Sequence, residues 1–289
     1  MSERVAEIVR DKVLAALERG TVPWQQGWDP TVGAPRSLST GKPYTGVNRW
    51  LLTMAAAPSP WWGTMKAVNG LGGSVRKGER STLVIFAKHD QAEDRSTGEV
   101  RHWSVLRYYN VFNASQCDNL PPEKVAVPTR PDGFAPLAEC EAILTGYGAG
   151  PAVVHGGPDA FYRPAADTVT VPEREAFHSG EEYFSTLWHE LTHSTGHPSR
   201  LDREGIATHD HRFGDAVYSA EELVAEMGSA ILCAECGIAG RTFDNQAAYI
   251  AGWLRSLSGE RARFVIHAAA QAEKAVNRIR GRQADSSEA

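Results

Sequence analysis

The 289-residue chain is 42% hydrophobic and 22% charged with a formal net charge of −5, a composition that suits two soluble domains, each with its own core. It has no run of 18 apolar residues, so no membrane-spanning helix is expected. Met1 to Gly20 is studded with charges and lacks an apolar h-region, and four cysteines are too few for a disulfide framework, so a reducing, cytoplasmic setting is expected.

Charge divides the chain unevenly. Residues 1–125 carry 16 Lys and Arg against 12 Asp and Glu, whereas the remainder carries 14 against 23. Six of the eight tryptophans also lie in the first part, so the two parts are expected to meet different partners.

In chain order, Val5, Ile8, Val9, Val13, Leu14 and Leu17 have helical spacing, with Ser2 as N-cap and Gly20 as stop. Pro23 to Tyr44 reads as ordered loop, and Asn48 to Ala57 as a helix ended by Pro58 and Pro60. Thr82 to Ala87 and Trp103 to Phe112 read as strands joined by a polar turn, Asp90 to Gly98. Five prolines between Asn119 and Pro136 mark a linker, so the expected division is 1–118, linker 119–136, 137–280, and a polar tail 281–289. In the second part, a helix is expected over Leu137 to Thr145 and strands over Ala152–His155, Ala160–Arg163 and Thr168–Val171. A long helix starts at Ser179, which has capping-box spacing to Glu182, and runs to about Thr195. Further helices are expected from Ser219 to Cys236 and from Asn245 past Ala270. The fold class is therefore α+β.

The string Trp188-His189-Glu190-Leu191-Thr192-His193 carries the chemistry. On a helix, His189 and His193 sit one turn apart on one face and can grip one ion. Glu190 beside them can act as general base without being a ligand. The apolar residues Tyr183, Phe184, Leu187 and Leu191 around the motif suit a buried helix, and Asp167–Val171 reads as the edge strand that would hold an extended substrate.

A third ligand is required. The motif continues to Gly196, but the position of a further histidine is occupied by Ser199, which excludes the metzincin pattern. Gly196 and Pro198 end the helix before His197, and His209 and His211 fall in a polar loop. The downstream helix resembles the gluzincin solution, which implies a Glu that completes His₂Glu and, one turn later, a carboxylate that orients a ligating histidine; Glu222 and Glu226 have that spacing. Ser219 and Glu222 also have capping-box spacing; if Glu222 caps its helix, Glu226 is the ligand. His₂Glu suits zinc, with manganese or another divalent ion as the alternative. The lone Cys233-x-x-Cys236 reads as helix packing.

The N-terminal part interleaves aromatics with bases: Trp24, Tyr44, Asn48, Arg49, Trp50, Trp61, Trp62, Lys66, Arg76 and Lys77. Exposed aromatics stack unpaired bases while Lys and Arg neutralise phosphates, a mixture that suits single strands better than duplex.

Val22-Pro-Trp24, Gly41-Lys-Pro-Tyr-Thr-Gly-Val-Asn-Arg-Trp50, Val75-Arg-Lys-Gly78 and Tyr109-Asn-Val-Phe112 resemble the N-terminal domain of ArdC-type antirestriction proteins. Phe161-Tyr-x-Pro164, Asp167–Pro172, Trp188–His193 and Glu221–Glu226 resemble that family's zincin-like metallopeptidase domain. The resemblance implies a protein of plasmids and other mobile elements that binds single-stranded DNA and protects incoming DNA from host restriction. Within it, Trp24, Tyr44, Asn48, Arg49, Lys66, Arg76 and Lys77 are the expected DNA contacts. A true protease acting on a host restriction-system protein, and a DNA-binding module with a structural metal, are the alternatives. Monomer is the default expectation.

Overall fold

The structure, a computed structural model, describes residues 2–18, 34–55, 57–93, 100–126, 135–203, 206, 216–238 and 263–282. Trp24, His209, His211 and the expected helix start at Asn245 lie outside them.

The N-terminal part opens with α1 (Ser2–Glu18), whose Val5, Val9 and Val13 are buried, as their helical spacing requires. A four-stranded sheet follows, built from β1 (Arg36–Ser37), β2 (Trp61–Gly63), β4 (Thr82–Glu93) and β5 (Val100–Asn113) in the order β1-β2-β5-β4. Between its strands lie α2 (Gly46–Thr53), α3 (Met65–Gly70) and β3 (Ser74–Val75), the last paired with β6 (Cys117–Asp118). The hairpin β4–β5 runs further than its apolar runs indicated, pairing Thr82 with Val111 and Glu93 with Val100. Asp90, expected in the turn, lies within β4, because antiparallel pairing satisfies the main chain whatever the side chains carry. The proline-rich stretch contains a short helix, α4 (Pro122–Val125), and Trp61 Nε1 donates to Ala126 O at 2.7 Å.

The second part has α5 (Pro136–Gly146), then a three-stranded sheet of β7 (Ala152–His155), β8 (Phe161–Arg163) and β9 (Thr168–Val171), all close to their expected positions. Their order is β7-β9-β8, with β9 parallel to β7 and antiparallel to β8. β9 is thus the central strand, which corrects its reading as an edge. Its main chain is engaged on both sides, and the alternation of Val169 and Val171 into the core fits that position.

Three helices complete the part: α6 (Gly180–Ser194), α7 (Ala216–Cys236) and α8 (Phe264–Ile279). Ser179 caps α6, its hydroxyl accepting from Glu182 N at 3.2 Å. The carboxylate of Glu182 reaches back to His178 N, one residue before the cap. α7 begins one turn before Ser219, so Ser219 is not its N-cap. α8 buries Val265, Ala268, Ala269, Ala272, Val276 and Ile279, a small-residue face that lets neighbours approach closely.

The two domains share a core. Val5, Val9, Trp50 and Ile85 belong to the same apolar cluster as Tyr183, Trp188, Met227 and Val265. At the junction, Arg49 Nε donates to Glu273 Oε1 at 2.7 Å, with both side chains largely buried, and Gly46 N donates to the same oxygen. The cysteines of the C-terminal part, Cys140, Cys233 and Cys236, are buried free thiols.

Contact between α6 and α7 depends on one glycine. A Cβ at Gly228 would lie 2.6 Å from Thr192 Cγ2, closer than packed atoms come, and Ser229 Oγ donates to Ser185 O just beside it. Gly228→Ala should therefore lower stability by about 1–3 kcal/mol, read as a shift in denaturant midpoint. Glu273→Gln removes the carboxylate from a buried guanidinium and should cost about 3 kcal/mol. Because the core is shared, probes in the two parts should report one coincident transition.

Candidate metal centre

On α6, His189 and His193 are four residues apart and point to the same side, toward α7. His189 Nε2 and His193 Nε2 are 3.1 Å apart. Glu222 of α7 places Oε2 3.6 Å from the first and Oε1 3.5 Å from the second. Donors held 2.0–2.1 Å from one tetrahedral ion lie about 3.3 Å from each other, so this triad has the spacing a divalent ion needs. Among the described residues, these three form the one group of this kind.

The remaining ring nitrogens have their own carboxylates. His193 Nδ1 lies 3.3 Å from Glu221 Oε1, and His189 Nδ1 lies 3.7 Å from Glu226 Oε1. The 222/226 spacing therefore sends one carboxylate to the donor face and the other behind His189. Glu221 was not anticipated from the sequence. It sits one residue before Glu222, about 100° around the helix, and reaches the back of His193 instead. Its own partner, Arg203, donates from Nε to Glu221 Oε2 at 2.9 Å.

Electrostatics follow from packing these carboxylates around two imidazoles. Burial disfavours a charged His189, but Glu222, Glu190 and Glu226 outweigh it and push its pKa up to about 9. Burial raises Glu226 to about 7 against the lowering effect of His189. Burial likewise works to raise Glu221, yet Arg203 and then His193 hold it below the usual carboxylate range. Glu190 is itself buried beside His189. This excess of acidic groups suits a cation.

The C-terminal end of α6 is fastened by a second arginine. Arg200 Nε donates to Ser194 O at 2.7 Å, and its guanidinium pairs with Asp167, which also accepts from Tyr162 OH at 2.8 Å. Asp167 occupies the left-handed region (φ +47°) and is held below the usual carboxylate range chiefly by Arg200. Past Ser194 the helix ends, and His197 turns to Ser199 at 2.7 Å, away from the triad.

The residues expected to meet DNA fall into two groups. Asn48 donates to Ile85 O at 2.6 Å and accepts from Ile85 N at 2.7 Å, closing the edge of β4 as a neighbouring strand would. Arg49 is buried on Glu273. Arg76 is exposed but pairs with Glu79 and Asp118. Tyr44 is half-buried against the cluster of Leu52, Trp62, Val84 and Val111, and Lys66 and Lys77 are exposed. Trp50 and Trp62 are core. Missed by that reading is an exposed surface on one face of the hairpin, Phe86 (46% exposed) and Tyr109 (46%) with exposed Arg107 opposite Phe86, while Tyr108 (53%) is exposed on the other face, opposite Ile85. The rings of Phe86 and Tyr109 meet edge-to-face at 5.3 Å. The run Arg107-Tyr-Tyr109 was the available signal.

Two families match the chain: one described as the N-terminal domain of the anti-restriction factor ArdC over residues 3–112, and one described as a zincin-like metallopeptidase over residues 138–271. Among curated proteins, a DNA primase TraC of Escherichia coli is 37% identical over 93% of this chain, which spans only 19% of that protein's length. A second TraC of Escherichia coli is 36% identical, with this chain spanning 26% of it. The uncharacterised protein y4eC of Sinorhizobium fredii is 32% identical over 97% of this chain and 93% of its own. The crystal structure of the metal-free antirestriction protein ArdC of plasmid R388 superposes with a TM-score of 0.77 at 36% identity, covering 96% of this chain and 99% of that one. The Mn(II)-bound form of the R388 protein superposes with a TM-score of 0.75 at 34% identity, covering 97% and 98%. A shared N-terminal domain, a shared zincin-like domain and near-complete coverage of a solved relative leave one assignment: this chain belongs to the plasmid-borne ArdC family of antirestriction proteins.

Proposed function

We propose that the protein protects incoming DNA from host restriction by holding single strands on its N-terminal domain, and that its C-terminal domain is a zinc-dependent peptide hydrolase. The observation that carries the second half is the mutual spacing of His189, His193 and Glu222, at 3.1–3.6 Å. In this reading those three residues hold the ion, Glu226 orients His189, and Glu190 is the general base. Zinc is the expected ion for a His₂Glu set, with manganese as the alternative that the R388 relative supports. When bound, the ion supplies Lewis acidity, which brings a water within reach of a carboxylate base at neutral pH. Glu190 takes the proton of the attacking water and delivers it to the leaving amine nitrogen.

Single-strand binding is assigned to the exposed hairpin face of Phe86 and Tyr109 with Arg107, supported by Lys66, Lys77 and the half-buried Tyr44. Rings about half exposed offer the stacking that unpaired bases lack, and duplex bases have no need of it. Asn48 and Arg49 are left out, because the fold already uses their polar groups.

Glu190→Ala should abolish hydrolysis of a denatured protein substrate while leaving metal content and DNA binding at wild-type levels. If that variant still protects transferred plasmid DNA, hydrolysis is not the protective mechanism. Tyr109→Ala should weaken single-strand binding by about 1–3 kcal/mol with an unchanged salt slope, whereas Lys66→Ala should make that slope shallower by about one. Equal affinity of the wild type for single strands and duplex would sink the DNA assignment.

A further inference from the structure

Arg203 joins two helices at the back of the triad. Its guanidinium donates from Nε to Glu221 Oε2 at 2.9 Å and from a terminal nitrogen to Glu221 Oε1. The same terminal nitrogen donates to Thr192 O at 2.9 Å, in the last turn of α6, and the other donates to Thr195 Oγ1 at 2.7 Å. Both side chains of this ion pair are buried, each about 8% exposed. Space for it is made by Gly196: a Cβ there would stand 3.1 Å from Arg203 Cζ and 2.5 Å from Ile206. Glu221 in turn faces His193 Nδ1 at 3.3 Å, while His193 Nε2 faces the triad.

A neutral imidazole carries one proton, so the partner of one nitrogen decides which nitrogen is left to ligate. A carboxylate only accepts, so Glu221 selects the Nδ1–H tautomer and leaves the Nε2 lone pair directed at His189 and Glu222. Glu221 could do this from several rotamers; the Arg203 fork, fixed on the end of α6, holds the one observed. Lysine could not replace it, since a single ammonium cannot span both carboxylate oxygens, Thr192 O and Thr195 at once.

Resting on the metal-site reading above, we propose that Arg203 is a positioning residue for the metal centre, acting through Glu221 to orient His193 and so setting the affinity of the site for its ion.

The test uses the full chain and a Zn²⁺-chelator competition, with melting of the metal-free protein followed in parallel. Glu221→Gln, close in shape, and Arg203→Lys should each weaken Zn²⁺ binding about 10- to 100-fold, the range found for partners of ligating histidines. The double variant should be no weaker than Glu221→Gln alone, because both act along one route. A purely structural Arg203 would lower the melting temperature of the metal-free protein and leave Zn²⁺ affinity within about twofold, overturning the proposal. Strict additivity of the two losses would overturn it too. His193→Ala separates the two readings. If the wild type and His193→Ala bind Zn²⁺ alike, the metal site itself is wrong. If His193→Ala loses binding while the Arg203 and Glu221 variants keep it, only the positioning role fails.

Discussion

Everything at the candidate centre depends on how closely α6 and α7 approach, and that distance is set where Gly228 passes Thr192. Helices whose facing residues carry side chains pack 8–10 Å apart, and carboxylates then reach across only when extended. Here a missing Cβ, together with the Ser229–Ser185 hydrogen bond, fixes the spacing two to three residues beyond Glu226. Three carboxylates of α7 thereby meet two histidines of α6 in register: Glu222 in front, Glu226 behind His189, Glu221 behind His193. Trp188, Leu191, Leu223 and Met227, all buried, keep that register from slipping.

A buried set this acidic is unfavourable unless cations answer it. Arg203 answers Glu221, and the two imidazoles face the rest. The pKa values of both His189 and Glu226 are raised, the first by the carboxylates around it despite burial and the second chiefly by burial itself. Arg200 plays a related part outside the centre by fastening the end of α6 to the β8–β9 turn through Asp167.

Local features were legible in the sequence where local physics decides them. The Ser179 cap, the one-turn separation of His189 and His193, and the three short strands all follow from patterns spanning a few residues. The helix end before His197 follows from Gly196 and Pro198 in the same way. What stayed hidden depends on partners distant along the chain. Asn48 answers Ile85, and Arg49 answers Glu273 across 224 positions, so neither could be told from a surface residue of the same type. Strand order was equally closed to inspection: the alternation of β9 tells which face is buried and not which strands lie beside it, and it lies between β7 and β8. Glu221 went unread because its direction depends on the phase of α7, which starts a turn earlier than Ser219 suggested.

The core that runs from α1 and α2 into α6 and α8 has a thermodynamic consequence. Two modules that merely hang on a linker unfold separately, and a ligand of one says nothing to the other. Here a ligand favouring the folded form at either end stabilises the whole unit by RT ln(1 + [L]/Kd). Arg49 and Glu273 sit at the junction where such a contribution would pass from one domain to the other. Occupancy of the centre on α6 and α7 is thereby linked, through shared stability alone, to the persistence of the hairpin surface of the N-terminal domain.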